Sequence, residues 1–212
     1  MGFFFKEKKI DLEKINKKVK KSLEEKRYIH TLGVEDTAAS LAFVYDVDPD
    51  KAMAAGLLHD CAKNLSEIEL LEVCKKNEIK LTKAEKINTS LLHAVVGAYF
   101  VKKRYHIDDE DIISAVRWHT TGKADMTMLE KIVFVADYIE PGRYKSNILK
   151  RVRKLAFSDI DAAVAMILNS TIEYVADIGD IVDETAVKAL EFYSAALPKD
   201  VKKIDFKALQ GR

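Results

Sequence analysis

Histidines in apolar surroundings are the first chemical signal in this sequence. The chain has five histidines, and three of them, His59, His93 and His119, lie in or directly after runs of apolar residues. A fourth, His30, shares a helix face with Val34. A single histidine in such a setting usually belongs to the core and is hydrogen-bonded to a carbonyl. Four of them need four buried partners, and a metal ion satisfies several at once because imidazole is the commonest metal ligand.

Two aspartates in apolar segments strengthen this interpretation. Asp60 directly follows His59, and Asp137 directly follows a stretch of apolar residues. A buried carboxylate is costly without a cation, and that cation can be a metal ion. For Asp137 a structural salt bridge with Arg143 or Arg117 is the alternative. A mixed set of histidines and aspartates suits iron, manganese or another borderline-to-hard divalent ion better than it suits a thiolate zinc site.

The adjacent pair His59 and Asp60 restricts where such a site can lie. Neighbouring residues on a helix point about 100° apart, so both reach one ion only at a helix end or a kink. Gly56, one turn earlier, lets another helix approach closely. The fifth histidine, His106, lies beside a run of acids and is predicted to be exposed.

The elements that must position these residues are predicted to be helices almost throughout. Three prolines and eight glycines in 212 residues are few helix breakers. We predict helices over 11–27, 28–45, 50–62, 67–77, 89–103, 108–119, 128–139 and 183–195, with one or two more over 146–175. There is no repeat and no flexible linker, which indicates a single all-α domain over 1–212. Its core spans about 15–195, between a short charged N-terminal extension and a C-terminal tail.

Composition and charge exclude several classes of protein. Hydrophobic residues make up 48% and charged residues 33%, as in ordinary globular domains. The net charge of +1 favours neither nucleic acid nor a membrane surface as a partner. Residues 6–27 are locally basic, which is typical of a solvated amphipathic helix, with attraction of a polyanionic ligand as the alternative. Two separated cysteines, no signal peptide and no membrane span predict a cytoplasmic protein.

The order of the candidate ligands resembles a known signature. His30, then His59-Asp60, then Asp137 resembles the H…HD…D pattern of the HD-domain phosphohydrolases. The segments 27–34, 119–122 and 136–143 are similar to the YqeK family of bacterial symmetrical diadenosine-tetraphosphate hydrolases. This likeness runs in order from about Arg27 to Thr185. It implies an all-α HD-domain helical bundle that hydrolyses a phosphoanhydride.

The resemblance also implies roles for individual residues. The expected metal ligands are His30, His59, Asp60 and Asp137, and the expected metal is iron. His93 and His119 either hold a second metal together with Asp60 or contact phosphate. The catalytic set implied is Asp60, Lys63, His93 and His119, and the substrate contacts implied are His93, His119, Asp137, Arg143, Asp183 and Thr185, the last two near an adenosine. The common His-Asp-Ile-Gly-Lys sequence reads His-Asp-Cys-Ala-Lys over 59–63, which keeps the lysine.

The implied reaction is an attack of metal-activated water on an inner phosphorus of diadenosine tetraphosphate. One of the two further histidines is expected to protonate the leaving ADP, and the partners are therefore a dinucleoside polyphosphate substrate and an ADP product. Three alternatives stay open: an HD phosphohydrolase of another nucleotide, a metal- or nucleotide-binding regulatory module without turnover, and a helical interaction protein with core histidines. The sequence also leaves open whether the chain forms a homodimer.

Overall fold

The structure, a computed structural model, describes residues 10–144 and 147–201. Its α-helices are α1 Leu12–Ser22, α2 Glu25–Val44, α3 Pro49–Leu58, α4 Glu67–Lys76, α5 Lys83–Ile87, α6 Leu92–Lys103, α7 Glu110–Trp118, α8 Met128–Ile139, α9 Leu149–Ala156, α10 Ile160–Asp177 and α11 Glu184–Tyr193. Two short 3-10 helices, Thr89–Leu91 and Ser194–Ala196, complete the described part of the chain, which contains no strand. The all-α prediction is therefore confirmed.

Polar side chains begin most of these helices. Ser66, Thr82 and Thr127 cap α4, α5 and α8, each in a capping box with the glutamate three residues later. Asp109 and Asp159 cap α7 and α10 by accepting backbone N–H bonds. Such caps satisfy amide groups that have no partner inside the helix, and they fix where each helix starts.

Several predicted boundaries were wrong. The helix predicted over 50–62 ends at Leu58, and that predicted over 11–27 is interrupted by extended backbone at Leu23. Leu23 is 8% exposed, and the interruption lets its side chain reach the core. Residues 146–175 hold two helices, separated where Asp159 caps the second. The short helix α5 was not predicted, since its five residues carry too little periodicity.

Helix α8 lies at the centre of the bundle and packs against α2, α3, α7, α9 and α10. Ile132, Val133 and Val135 are completely buried in it. Helices α2 and α3 pack with their backbones close together at Gly56, where a Cβ atom would lie 3.0 Å from the Cα of Glu35. The close approach predicted at Gly56 is confirmed, and it holds the middle of α2 against the end of α3.

The basic helix α1 buries Ile15 and Val19 and exposes most of its lysines. This arrangement agrees with the predicted amphipathic helix and leaves the polyanion alternative as a hypothesis. The rest of the predicted N-terminal extension (residues 1–9) and most of the C-terminal tail (202–212) lie outside the described residues. In the described ranges, no helix combines the length and apolarity that crossing a bilayer requires.

Candidate metal centre

Five helix ends deliver the predicted ligands to one place. His30 lies in the second turn of α2, His93 is the second residue of α6, His119 directly follows α7, and Asp137 lies in the last turn of α8. His59 and Asp60 follow the end of α3, where turns with hydrogen bonds between residues three apart replace the α-helical pattern although His59 keeps α-helical dihedral angles. This turn brings His59 Nε2 and Asp60 Oδ2 to 3.3 Å, as the helix-end argument predicts.

The first donor set contains His30, His59, Asp60 and Asp137. His30 Nε2 lies 3.3 Å from His59 Nε2, 3.9 Å from Asp60 Oδ2 and 3.1 Å from Asp137 Oδ1. His59 Nε2 lies 3.9 Å from Asp137 Oδ1. Ligand atoms bound about 2.1 Å from one ion must lie within about 4.2 Å of one another. Each of these separations, which all involve His30 or His59, meets that condition. The donors that lie mutually close are His30, His59 and Asp60 in one group and His59, His119 and Asp137 in another.

The protonation of the rings shows that this set fits a metal ion. His59 Nδ1 donates to the Gly56 carbonyl at 2.7 Å, and His30 Nδ1 donates to Glu140 Oε1 at 3.1 Å. A ring whose single proton lies on Nδ1 turns the unprotonated Nε2 lone pair inward. Two such lone pairs 3.3 Å apart repel each other unless they share a cation. The buried carboxylates beside them favour a cation at the same point.

A second donor set shares Asp60 with the first. Asp60 Oδ1 lies 3.3 Å from His93 Nε2 and 3.6 Å from His119 Nε2, and the two ring nitrogens are 3.2 Å apart. The Nδ1 atoms of these rings donate to the carbonyls of Ser90 and Val116. One carboxylate oxygen of Asp60 thus faces each pair of histidines. The second set can hold a cation by the same reasoning.

Three cationic side chains border the two sets. Arg27 Nη1 lies 2.9 Å from Asp60 Oδ2, and Arg143 Nη2 lies 2.6 Å from Asp137 Oδ1. Lys63 Nζ lies 3.3 and 3.4 Å from the ring nitrogens of His93. The arginine side chains are 34% and 43% exposed, so they join the site to solvent.

The salt bridge considered for Asp137 is present with one of its two candidate partners. Arg143 holds Asp137, whereas Arg117 pairs with the buried Glu85 instead. Asp137 also contacts His30 at 3.1 Å, so the ion pair exists beside the histidine contacts and does not replace them.

Both carboxylates are strongly acidic in this setting. Burial raises the pKa of Asp60, but the contacts with His59 and His119, in the metal-free form in which those rings are positively charged, outweigh burial and lower the pKa well below its usual value. Burial likewise raises the pKa of Asp137, and in the same metal-free form a hydrogen bond from a protonated His30 Nε2, with the nearby positive charges, lowers it further than burial raises it. Both groups are therefore ionised near neutral pH, as metal ligands must be.

The pKa values of two groups on the far side of Asp60 are also lowered, which for these bases favours the neutral form. Burial, with the neighbouring His119 and Lys63, lowers the pKa of His93 from 6.5 to about 3. Burial also lowers the pKa of Lys63. His93 is therefore neutral near pH 7, and its Nε2 atom is free to accept a hydrogen bond or bind a cation.

Three residues of the site were missed by sequence reasoning. Thr120 Oγ1 lies 3.2 Å from His93 Nε2 and 3.1 Å from His119 Nε2. Arg27 and Glu140 contact ligand residues directly. Arg27, Thr120 and Glu140 all lie inside the three segments that carry the family resemblance, which was the available signal.

The two predicted adenosine contacts, Asp183 and Thr185, are hydrogen-bonded to each other at the start of α11. Asp183 accepts from the backbone N–H of Thr185 at 2.7 Å and thereby caps α11. Its other carboxylate oxygen accepts from Thr82 at 3.3 Å.

His106 is exposed, as predicted.

Comparison with known proteins fits this geometry. The HD domain family matches residues 27–142, which include His30, His59, Asp60 and Asp137. The chain belongs to the HD-domain family. The match ends at Gly142, directly before Arg143, and covers all residues of both donor sets.

Two curated relatives of this chain have the same name. The chain is 40% identical over 156 residues to the symmetrical bis(5'-nucleosyl)-tetraphosphatase of Bacillus subtilis, an alignment that covers 74% of this chain and 83% of that protein. It is 32% identical to the Staphylococcus aureus protein of the same name, covering 87% and 95% of the two chains. A crystal structure from Clostridium acetobutylicum, titled a predicted HD superfamily hydrolase involved in NAD metabolism, superposes with a TM-score of 0.84. That protein is 39% identical, and the match covers 89% of this chain and 99% of that one.

Proposed function

We propose that this chain is a metal-dependent symmetrical bis(5'-nucleosyl)-tetraphosphatase that hydrolyses diadenosine tetraphosphate to two molecules of ADP. The observation that carries the proposal is the first donor set, where two histidines and two aspartates converge beside cationic side chains. The names of the relatives support the choice of substrate. The cut between the two inner phosphates rests on the same likeness.

The proposed resident metal is iron, held by His30, His59, Asp60 and Asp137. Imidazole nitrogens with carboxylate oxygens are a donor set that suits iron in its divalent state. A divalent ion in this position supplies Lewis acidity and makes water a nucleophile near neutral pH. A second ion at Asp60, His93 and His119 is the alternative to phosphate binding by those histidines.

In this proposal the cationic side chains bind the phosphate groups of the substrate. The tetraphosphate bridge carries several negative charges, and stabilising the charge on phosphoryl oxygens is the main catalytic contribution in phosphoryl transfer. Arg143 and Arg27 each present a guanidinium group at the solvent side of the site, suited to paired hydrogen bonds with phosphate oxygens. Lys63 lies at the opposite end of the site, beside His93, and binds phosphate there in this proposal.

The hydrogen bonds of the second histidine pair bear on protonation of the leaving ADP. The Nδ1 atoms of His93 and His119 donate to backbone carbonyls, so a ring whose single proton lies there presents an acceptor Nε2 atom to the site. A ring in that state binds a cation or a donor group and has no proton to give at Nε2. At this end of the site, Lys63 and Thr120 are the groups that carry protons. We therefore assign protonation of the leaving phosphate to Lys63.

Contacts of Asp183 and Thr185 with an adenosine remain part of the proposal by resemblance. A cytoplasmic location is likewise proposed, in keeping with Cys61 and Cys74, which are both free and buried.

The decisive experiment is a product analysis. Purified protein loaded with ferrous iron is incubated with diadenosine tetraphosphate, and the products are separated by chromatography beside metal-stripped protein. The proposal expects ADP alone, lost on stripping and restored by iron. The Asp60→Ala variant is expected to be inactive, whereas Asp50→Ala, at an exposed aspartate in the first turn of α3, is the matched control.

Other outcomes distinguish the alternatives. ATP with AMP would keep the hydrolase and overturn the cleavage position. A protein that holds metal without turning over this substrate would be tested on other nucleotides, and a normal rate in Asp60→Ala would make the metal assignment wrong.

A further inference from the structure

Glu140 is a buried carboxylate at the edge of the metal centre with both oxygens in use. It directly follows α8 and is 4% exposed. Its Oε1 atom accepts from Nδ1 of His30 at 3.1 Å, and its Oε2 atom accepts from the backbone N–H of Gly142 at 2.5 Å. The carboxylate therefore connects the loop after α8 to the ring of a proposed ligand on α2.

Two glycines leave room for this carboxylate. A Cβ atom at Gly33, on α2, would lie 2.7 Å from Glu140 Oε2. A Cβ atom at Gly142 would lie 3.0 Å from both oxygens of Glu140. Real Cβ atoms essentially never approach another atom within 3.0 Å, so an alanine at Gly33 would displace the carboxylate. The helix itself prefers alanine to glycine at an interior position, which leaves the space for Glu140 as the reason for Gly33.

We infer that Glu140 is a positioning residue that fixes the tautomer and the orientation of His30, with Gly33 and Gly142 forming its cradle. This inference rests on the proposed metal site. By accepting a hydrogen bond from Nδ1–H, Glu140 keeps the Nε2 lone pair of His30 directed at His59, Asp60 and Asp137. Partners of this kind, outside the ligand set itself, typically change metal affinity or activity by about 10- to 100-fold when they are replaced.

The chemistry of the contact requires a carboxylate. The two groups hydrogen-bonded to Glu140 are N–H donors, and Arg143 Nε lies 3.9 Å from its Oε1 atom, so both of its terminal atoms must accept. A glutamine in this position has one acceptor and one donor. If its oxygen serves Gly142, its amide N–H faces Nδ1 of His30 and favours the tautomer whose proton lies on Nε2. That tautomer has no lone pair for a metal.

The first test measures iron affinity and not activity. Metal-free wild-type protein, Glu140→Gln and a control variant compete with a coloured chelator for ferrous iron under anaerobic conditions. The control is Glu130→Gln, a buried, hydrogen-bonded glutamate at the start of the same helix α8. We expect Glu140→Gln to bind iron about 10- to 100-fold more weakly than wild type, and Glu130→Gln to bind as wild type does.

Failure of the inference can be told apart from failure of the proposed function. If wild type binds iron tightly and Glu140→Gln binds equally tightly, the positioning role is overturned and the metal site stands. If wild type itself takes up no iron, the metal site is overturned together with this inference. Melting curves of the metal-free proteins show whether each variant is folded, and a Glu140→Gln protein that is folded and weak in iron binding supports the role.

A second route uses Gly33 and does not depend on replacing the glutamate alone. Gly33→Ala is expected to weaken iron binding because its Cβ displaces the carboxylate of Glu140. Combined with Glu140→Ala, the same change is expected to cause no further loss, since no carboxylate remains to be displaced. If the two losses multiply in the double variant, Gly33 acts independently of Glu140, and the cradle is overturned.

Discussion

At the scale of single residues, the site depends most on Asp60. One of its oxygens faces His30 and His59, and the other faces His93 and His119. Arg27 adds a charged hydrogen bond from the solvent side. A carboxylate shared in this way sets the charge of both donor sets, so its loss affects both at once.

Replacing Asp60 by asparagine tests this shared role. The amide keeps the size of the side chain but removes its negative charge, so we expect iron binding to be lost and hydrolysis of diadenosine tetraphosphate to fall by at least about 100-fold. Metal analysis and a rate assay check this, with Asp50→Asn as a control at an exposed position on α3. A variant that keeps stoichiometric iron would contradict the central position given to Asp60.

Glu35 permits a prediction about stability. Burial, and then the negative charge of Asp36, raise its pKa from 4.5 to about 7. Between these values the folded protein holds a proton that the unfolded chain has released, so this group makes the free energy of unfolding fall as pH rises from 4.5 to 7. Above pH 7 the cost is constant, on the order of 1 to 3 kcal/mol, since one pKa unit corresponds to about 1.4 kcal/mol.

Glu35→Gln removes this penalty. Urea unfolding of metal-free protein is expected to show the variant about 1 to 3 kcal/mol more stable than wild type at pH 8, with the difference vanishing near pH 4.5. Glu72→Gln, an exposed glutamate on α4, is expected to show no such trend. An equal difference at both pH values would mean that the titration of Glu35 is not its cause.

The residue types of the donor sets could be predicted from sequence because histidine and aspartate stand out against apolar neighbours. His59, His93 and Asp137 are recognisable in this way. Arg27 and Glu140 are not, because charged residues near helix ends are common and their partners lie on other helices. Only the packing of α2 beside α8 brings Glu140 to His30, and no local pattern records that contact.

At the scale of elements, the ends of helices determine the site. The sequence favoured a helix over 50–62, yet α3 ends at Leu58, and this early end lets His59 and Asp60 face the same point.

The loop after α8 is held by hydrogen bonds from another helix. Arg153, on α9, donates to the carbonyls of Ile139, Glu140 and Arg143 at 2.8 to 2.9 Å.

Arg153 therefore holds the loop that carries Arg143, the proposed phosphate contact. We expect Arg153→Gln to lower kcat/KM about tenfold, equivalent to about 1.4 kcal/mol of transition-state stabilisation, because a looser loop positions Arg143 less well. Arg151→Gln is the matched control on the same helix, since the described hydrogen bonds of the Arg151 side chain go to the exposed Asp200 alone. Equal effects of the two changes on steady-state kinetics would argue against the loop as the cause.

At the scale of the whole molecule, the two donor sets connect elements that are distant in sequence. His30 on α2 and Asp137 on α8 are separated by most of the matched domain, and His59 with Asp60 adds the end of α3. The all-α architecture could be predicted because periodicity is local and helix breakers are few. The order in which helices surround α8 could not, since it depends on which apolar faces fit each other.

Because the ligands come from separate helices, metal binding must stabilise the fold as a whole. An ion that binds only the folded chain adds about 2.7 kcal/mol to the free energy of unfolding when its free concentration is 100 times its Kd. We therefore expect ferrous iron to raise the melting temperature of metal-stripped wild type in anaerobic calorimetry, by about 2 to 4 °C for each kcal/mol gained, the range for domains of roughly this size. Asp60→Asn is expected to lose this increase and Asp50→Asn to keep it. An increase of the same size in Asp60→Asn would mean that iron stabilises the protein from a different place, and the donor sets would lose their role in stability.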